Sequence, residues 1–423
     1  MESDHFKIHH HVLPGQYIRE YPAATADSQE DDLYLHINQY KPLKPLNSRA
    51  NNITIIGTAA NGLTKELFEP LWDDLYQQLQ CVGIGIHSVW IADQVHQGES
   101  SVLNETKLGN DPCWDDHARD MLHMINCFRT QMPRPLVGIG HSMGGQQLAS
   151  LALIHPRLLS FLVLIDPVIL RKTSHVSLLS QMSAARRDLW PSRAEAASAA
   201  RKSRSYRRWD SRVLDRWIQH SLREIPTLLY PELPHKGTFQ IPVTLKTTKY
   251  QEVFTFLRPN FEGGDTPSEV NRKTHPDVDP DVPGPYPFYR PETTNMVPRL
   301  PHIRPPVLYL FGESSEISPA ESRREKLEMT GIGVGGSGGA KLGNVHGQVI
   351  ENTTHFLPFE LPGECARRAT EWLAPKVDEW MQAEEQFRNR WKTISKVEKA
   401  TLSAEFKKEL RKGIAPPKDR AKL

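Results

Sequence analysis

The run Gly140-His141-Ser142-Met143-Gly144 sets a serine between glycines two positions away on either side. That spacing suits a hydroxyl carried on a sharp strand-to-helix turn, where only small neighbours avoid a clash and the oxygen projects as a nucleophile. The flanks agree. Residues 135–139 are a short apolar run that predicts a buried strand, and residues 146–154 predict a helix that stops before Pro156. A free serine hydroxyl is a weak nucleophile, so Ser142 requires a base within hydrogen-bonding reach and a carboxylate to orient that base. It also requires two backbone N–H groups aimed at the charge that develops on the attacked carbonyl. A glycine-rich turn with no chemistry would show the same five residues, so the case rests on partners elsewhere in the chain.

Composition narrows the alternatives. The 423 residues carry 52 Lys and Arg against 50 Asp and Glu, a net charge of +2, which gives no global attraction to nucleic acid. Cys81, Cys113, Cys127 and Cys365 form no C-x-x-C pair, so neither a zinc site nor a disulfide framework is expected, and no metal or other cofactor is called for. There is no 18-residue apolar run to predict a membrane span, and the acidic start Met1-Glu2-Ser3-Asp4 is not followed by the apolar core of a secretory signal. Gly331-Ile332-Gly333-Val334-Gly335-Gly336 matches a dinucleotide-binding pattern. It neither follows a strand nor opens a helix, so it is read as a flexible loop near the candidate base. His9-His10-His11 reads as a polar terminal run. The chain ends Ala421-Lys422-Leu423, a variant of the Ser-Lys-Leu address that a peroxisomal import receptor reads, which predicts a peroxisomal location with that receptor as partner.

The elements that must position the serine follow from periodicity. Residues 16–22 and 32–43 alternate and predict an edge hairpin. Residues 53–56, 84–92, 161–166, 306–312 and 347–351 predict further strands, and 65–79, 114–128, a segment from about Pro319, and 363–392 predict helices, the last kinked at Pro375. Short apolar strands alternating with amphipathic helices mean a mostly parallel sheet covered by helices on both faces, an α/β fold. The rhythm breaks between 169 and 300. Its first part is helical and basic, with eleven Lys or Arg against three Asp or Glu from Arg171 to Arg212, and its remainder is rich in Pro and Gly. This basic segment is either a solvated helix face or a surface that draws a ligand carrying several phosphates. The expected division is a core in two parts, 1–168 and 301–392, a cap inserted at 169–300, and a charged, weakly patterned tail at 393–423.

The order of these elements, with the insertion where it falls, resembles the α/β-hydrolase family from residue 16 to about 375. The resemblance implies the chain order serine, acid, histidine. It points to His355, in the loop after the last strand, as the base. Relatives commonly place the acid after the strand at 306–312, but this chain has Ser315 there, flanked by Glu313 and Glu316. Asp166, at the end of the preceding strand, is the favoured acid and Glu316 the alternative. The oxyanion donors implied are the N–H of Met143 and that of Leu63 or a neighbour in Asn61-Gly62-Leu63. The segments Pro14–Pro22, Trp209-Asp210-Ser211-Arg212-Val213-Leu214 and Gly335-Gly336-Ser337-Gly338-Gly339 resemble a fungal secondary-metabolism subgroup. That subgroup includes a peroxisomal acyl-CoA hydrolase of mycophenolic acid biosynthesis and hydrolases of Alternaria host-selective toxin pathways. What this implies is hydrolysis of an acyl-CoA thioester through an acyl-serine. A carboxylic-ester hydrolase, an acyltransferase, or an inactive binding module on the same fold are the alternatives. The residues leave the oligomeric state open.

Overall fold

The apolar runs become the centre of an eight-stranded sheet in the computed structural model, which describes residues 3–44, 51–171, 176–232, 240–261, 271–278 and 287–413. The chain forms two compact units, Met1–Ala374 and Pro375–Leu423. The first opens with β1 (Phe6–Pro14), β2 (Tyr34–Pro42), β3 (Asn51–Thr58), helix α1 (Glu69–Cys81) and β4 (Ile84–Ala92). Next come α2 (Gly98–Leu103), α3 (Trp114–Cys127), β5 (Leu136–His141), α4 (Met143–Ile154) and β6 (Phe161–Ile165). The inserted segment then holds α5 (Val176–Ala185), β7 (Leu189–Trp190), α6 (Arg193–Lys202), α7 (Ser211–His220), β8 (Leu222–Glu224) and β9 (Val243–Leu245). It continues through α8 (Lys249–Phe256), β10 (Arg258–Pro259), β11 (Phe288–Tyr289) and α9 (Pro291–Met296). The sheet resumes with β12 (Val307–Gly312), α10 (Ala320–Met329), β13 (Val345–Ile350), α11 (Leu357–Glu360) and α12 (Pro362–Thr393).

Sheet order is β1-β2-β4-β3-β5-β6-β12-β13. β1 and β2 are antiparallel additions at one edge, and from β4 to β13 every neighbour is parallel. Parallel strands are covered on both faces, which is why Leu136–His141 and Phe161–Ile165 are buried at every position rather than at alternate ones. Leu148 and Leu151 of α4 and Met121 and Met124 of α3 pack with Ile56, Trp90, Leu162 and Tyr309 in one core. Leu148 is fully buried, so truncation to alanine would cost about 2–5 kcal/mol. The chain reverses direction across the sheet between β3 and β5, and the crevice at such a switch point is where this architecture binds ligands.

The inserted segment is a cap with its own three-stranded sheet, order β7-β9-β8. Three of its helices start where a side chain can receive a first-turn N–H: Ser192 from Glu195, Asp210 from Arg212 and Thr248 from Gln251.

Three expectations require correction. Residues 16–22 are not a strand. The edge hairpin pairs β2 with Phe6–Pro14 instead, and His9, His10 and His11 lie inside it. An edge strand has one neighbour and keeps one side open to water, so polar residues are accepted; His10 bonds Asn38 at 2.9 Å and His11 bonds Gln39 at 3.0 Å. Residues 16–20 are tied by side chains to α3, through Gln16 N–H to Asp120, Arg19 to Asp120 and Glu20 N–H to Asp116. The glycine loop at 331–343 is not beside His355. Gly331, Gly333 and Ser337 donate to the carbonyls of Leu300, Pro301 and Ile303, at the start of β12, whereas His355 follows the far end of β13, roughly 20 Å of strand away. In the second unit, the charged tail forms α13 (Lys396–Ala400), opened by a Ser395–Glu398 capping box, and α14 (Ala404–Gly413). Residues 421–423 lie outside the described residues.

Candidate active site

Ser142 stands between the last residue of β5 and the first of α4 with φ 58° and ψ −120°, a left-handed conformation that costs a non-glycine residue energy. The glycines around it are explained by contact. A Cβ on Gly144 would lie 2.4 Å from the Thr58 carbonyl oxygen, and one on Gly140 would lie 2.7 Å from the Gly144 oxygen. Ser142 N–H donates to the Ile165 carbonyl, so the turn is clamped to the end of β6. There Asp166 also has positive φ, 42°, and is fully buried.

The loop after β13 brings His355 between the two. Its Nε2 is 2.8 Å from the Ser142 hydroxyl and its Nδ1 is 2.7 Å from Asp166 Oδ2. A carboxylate only accepts, so Nδ1 carries the proton and Nε2 is left to accept from the serine. Burial alone would push the Asp166 carboxyl up. The hydrogen bond from His355, the electrostatic pull of its ring and the hydroxyl of Ser315 outweigh it and hold the group below its ordinary value, in the ionised form. Ser315 occupies the position where relatives commonly carry their acid, and here its hydroxyl donates to Asp166 Oδ2. Glu316 is exposed, and Glu313 accepts from the Asn352 N–H, so neither flanking glutamate takes part in this chain of bonds.

A residue not singled out from the sequence completes the arrangement. His141, fully buried, donates from Nε2 to the His355 backbone carbonyl at 2.8 Å, and its ring lies 4.9 Å from the His355 ring. Burial, then the neighbouring His355, push its pKa down to about 3, so it stays neutral and keeps that donor.

Met143 opens α4, so its N–H belongs to the first-turn amides that find no partner inside a helix, and it stands next to the serine oxygen. Leu63 does not match the second expected donor. Its N–H is committed to the Ala60 carbonyl at 3.3 Å, and the Gly62 N–H to Gln97 Oε1 at 2.9 Å. The loop is further pinned by Asn61, which bonds Gln97 at 2.7 Å and the Glu252 carbonyl of cap helix α8 at 3.0 Å. Gly62 needs its glycine, with φ +74° and a Cβ that would meet Glu252 at 2.7 Å. Ala59 lies beside the turn, its carbonyl oxygen 2.8 Å from where a Cβ on Gly144 would stand. Among the described residues no group of three or more His, Cys, Asp or Glu is arranged to hold a metal ion.

A buried acceptor, a neutral imidazole and a hydroxyl in line can deliver a serine oxygen to an electrophilic carbonyl while removing its proton. The alpha/beta hydrolase family matches residues 60–368. The type I acyl-CoA thioesterase mpaH′ of Penicillium brevicompactum is 40% identical over 405 residues, covering 92% of each chain, and mpaH of Penicillium roqueforti is 39% identical over 404 residues, again 92% of each. The abhydrolase domain-containing protein AFT2-1 of Alternaria alternata is 31% identical over 246 residues, 57% of this chain and 84% of that one. Among solved structures, the peroxisomal alpha-beta-hydrolase Lpx1 of Saccharomyces cerevisiae superposes with a TM-score of 0.66 at 20% identity, over 92% of this chain and 99% of its own. The chain belongs to the alpha/beta hydrolase family and is a hydrolase.

Proposed function

We propose that the protein hydrolyses the acyl-CoA thioester of a secondary metabolite in peroxisomes, with Ser142 as nucleophile, His355 as general base and acid, and Asp166 as the carboxylate that orients it. The observation that carries the reading is the unbroken bond chain Ser142–His355–Asp166 in a sequence 40% identical, over 92% of its length, to acyl-CoA thioesterases. In the first step Ser142 Oγ bonds to the thioester carbon while His355 Nε2 takes the hydroxyl proton. The tetrahedral oxyanion is met by Met143 N–H and an amide of residues 59–61. The carbon–sulfur bond then breaks, CoA leaves as the thiol with the proton from His355, and water, deprotonated by the same imidazole, releases the acid from the acyl-serine.

Apolar packing next to the serine turn is compatible with an acyl chain. Trp114, Met143, Val168, Leu170 and Ile317 form a buried apolar cluster, joined by Leu179 of cap helix α5. The peroxisomal location rests on Ala421-Lys422-Leu423 as the ligand of the import receptor. The test is thiol release from short, long and polyketide-like acyl-CoAs by wild type beside Ser142→Ala. Release confined to wild type is expected, with the variant reduced by at least about a thousandfold and still folded. No release from protein that still labels with a fluorophosphonate would move the assignment to an oxygen ester or to acyl transfer. A protein with Leu423 deleted is expected to stay in the cytosol, and unchanged import would remove the peroxisomal reading.

A further inference from the structure

The stretch Arg201-Lys202-Ser203-Arg204-Ser205-Tyr206-Arg207-Arg208 has five cations and no acid. It runs from the end of α6 through the turn that leads into α7. A solvated helix face usually matches its cations with local carboxylates, and two of the five do so: Arg201 with Asp215 at 2.7 Å and Arg208 with Glu360 at 3.0 Å. Lys202, Arg204 and Arg207 are exposed and form no ion pair among the described residues. Like charges gathered on one turn repel each other, and an anionic ligand relieves that repulsion.

This turn is fastened to the loop that carries His355. Arg208 donates to the Asn352 carbonyl as well as to Glu360, and Glu360 accepts the Thr354 N–H at 2.7 Å. Asp210 N–H donates to the Phe359 carbonyl at 2.8 Å. The Trp209 ring packs 5.2 Å from Phe359 and 6.0 Å from Phe356. Phe356 follows His355 directly, sets its ring edge-on to the imidazole at 5.6 Å, and is 37% exposed. A surface path therefore leads from the reacting histidine, past an open aromatic ring, to three unpaired cations on a fixed turn. That is the order in which a CoA thioester presents its parts: reacting sulfur, thin amide-bearing arm, nucleotide phosphates.

We propose that Lys202, Arg204 and Arg207 bind the nucleotide phosphates of coenzyme A, with the pantetheine arm crossing the exposed face of Phe356. The inference deepens the thioesterase reading and rests on it. It gives the three cations a role in substrate capture and none in the bond-breaking steps.

The test compares two thioesters of one acyl group, the CoA ester and the N-acetylcysteamine ester, which keeps the reacting end and lacks the nucleotide. For the triple variant Lys202→Gln, Arg204→Gln, Arg207→Gln, KM for acyl-CoA is expected to rise about tenfold or more with kcat retained and with weaker dependence on salt. Values for the short thioester should stay within about twofold of wild type. The control Arg388→Gln, Arg390→Gln, Lys392→Gln, which removes the same charge from the second unit, should change neither substrate. An unchanged KM for acyl-CoA, or equal losses on both thioesters, would overturn the site. Calorimetric binding of free CoA separates this inference from the reaction assignment. If wild type cleaves no acyl-CoA, CoA binding that is lost in the triple variant supports the phosphate site alone, and the absence of binding overturns both.

Discussion

Asp166 serves at the residue scale because its position satisfies two demands together. It is sealed from water, and it still receives donors from His355 and Ser315 that keep it ionised. Asp166→Asn offers Nδ1 an amide, which favours the wrong imidazole tautomer, so kcat should fall roughly ten-thousandfold with little change in fold. Glu316→Gln should leave kcat within about twofold, since its side chain faces water. Steady-state kinetics on the two variants decides this, and the reverse order would return the acid to the later loop. His141 allows a second comparison. His141→Gln can still send an N–H to the His355 carbonyl and should retain a substantial fraction of kcat, whereas His141→Leu removes the donor and should lose about tenfold or more. Equal losses in both variants would reduce His141 to packing. Ser142, Asp166 and His355 could be singled out because the first two directly follow strands and the third lies in the loop after the last strand, in the chain order that the resemblance implies. His141 was not, because a bond to a backbone carbonyl 214 positions away leaves no spacing to read. Leu63 fails for a related reason: which amide of a short loop turns inward depends on its local bonds to Ala60 and Gln97, and residue types do not encode that.

At the element scale α7 fixes the cap to the core, and its two ion pairs with α1 differ in kind. Arg212 makes a two-pronged contact with Asp74 at 2.7 and 2.9 Å, but its side chain is 48% exposed. Arg216 meets Glu69 of α1 at 2.7 Å with both side chains nearly dry. Burial pushes the Glu69 carboxyl up to about 7 even with Arg216 beside it, so removing the arginine strands a group that water cannot reach. Arg216→Met should lower unfolding free energy by about 3 kcal/mol, and Arg212→Met by less than about 1 kcal/mol. Urea denaturation measures both, and equal effects would show that burial is not what separates them. The central elements were legible to within a few residues, Ile84–Ala92 to the residue, because parallel strands need continuous apolar runs. β1 was missed because an edge strand with three histidines has neither that run nor clean alternation. The helix expected from Lys65 begins at Glu69 after a tight turn at Lys65–Phe68, with Pro70 in its first turn, where a missing N–H costs nothing.

Over the whole molecule, the core carries an unusual load of neutral histidine. Burial drives His96 and His141 down to about 3, and His36, His117 and His220 down to about 4. In the unfolded chain each would titrate near about 6.5. The folded state therefore binds fewer protons at these five sites. Their stabilisation is complete above the unfolded value and is lost as pH falls toward the folded values. Buried carboxyls act in the opposite sense. Asp116 and Glu69 are pushed up to about 7, so the folded state binds more protons there, and acidification through that range favours it. Burial raises Asp93 and Asp73 as well and lowers His9 and His87, so seven histidines stand against four carboxyls and dominate between roughly pH 6.5 and 4. Calorimetry should accordingly find a melting temperature that declines from about pH 7 to about pH 5, with no change in cooperativity that would signal separate loss of the cap. A melting temperature that held level or rose over that interval would mean that several of these imidazoles are charged in the folded protein. The neutral, donor-carrying state assigned to His141 behind the reacting histidine would then fall with it.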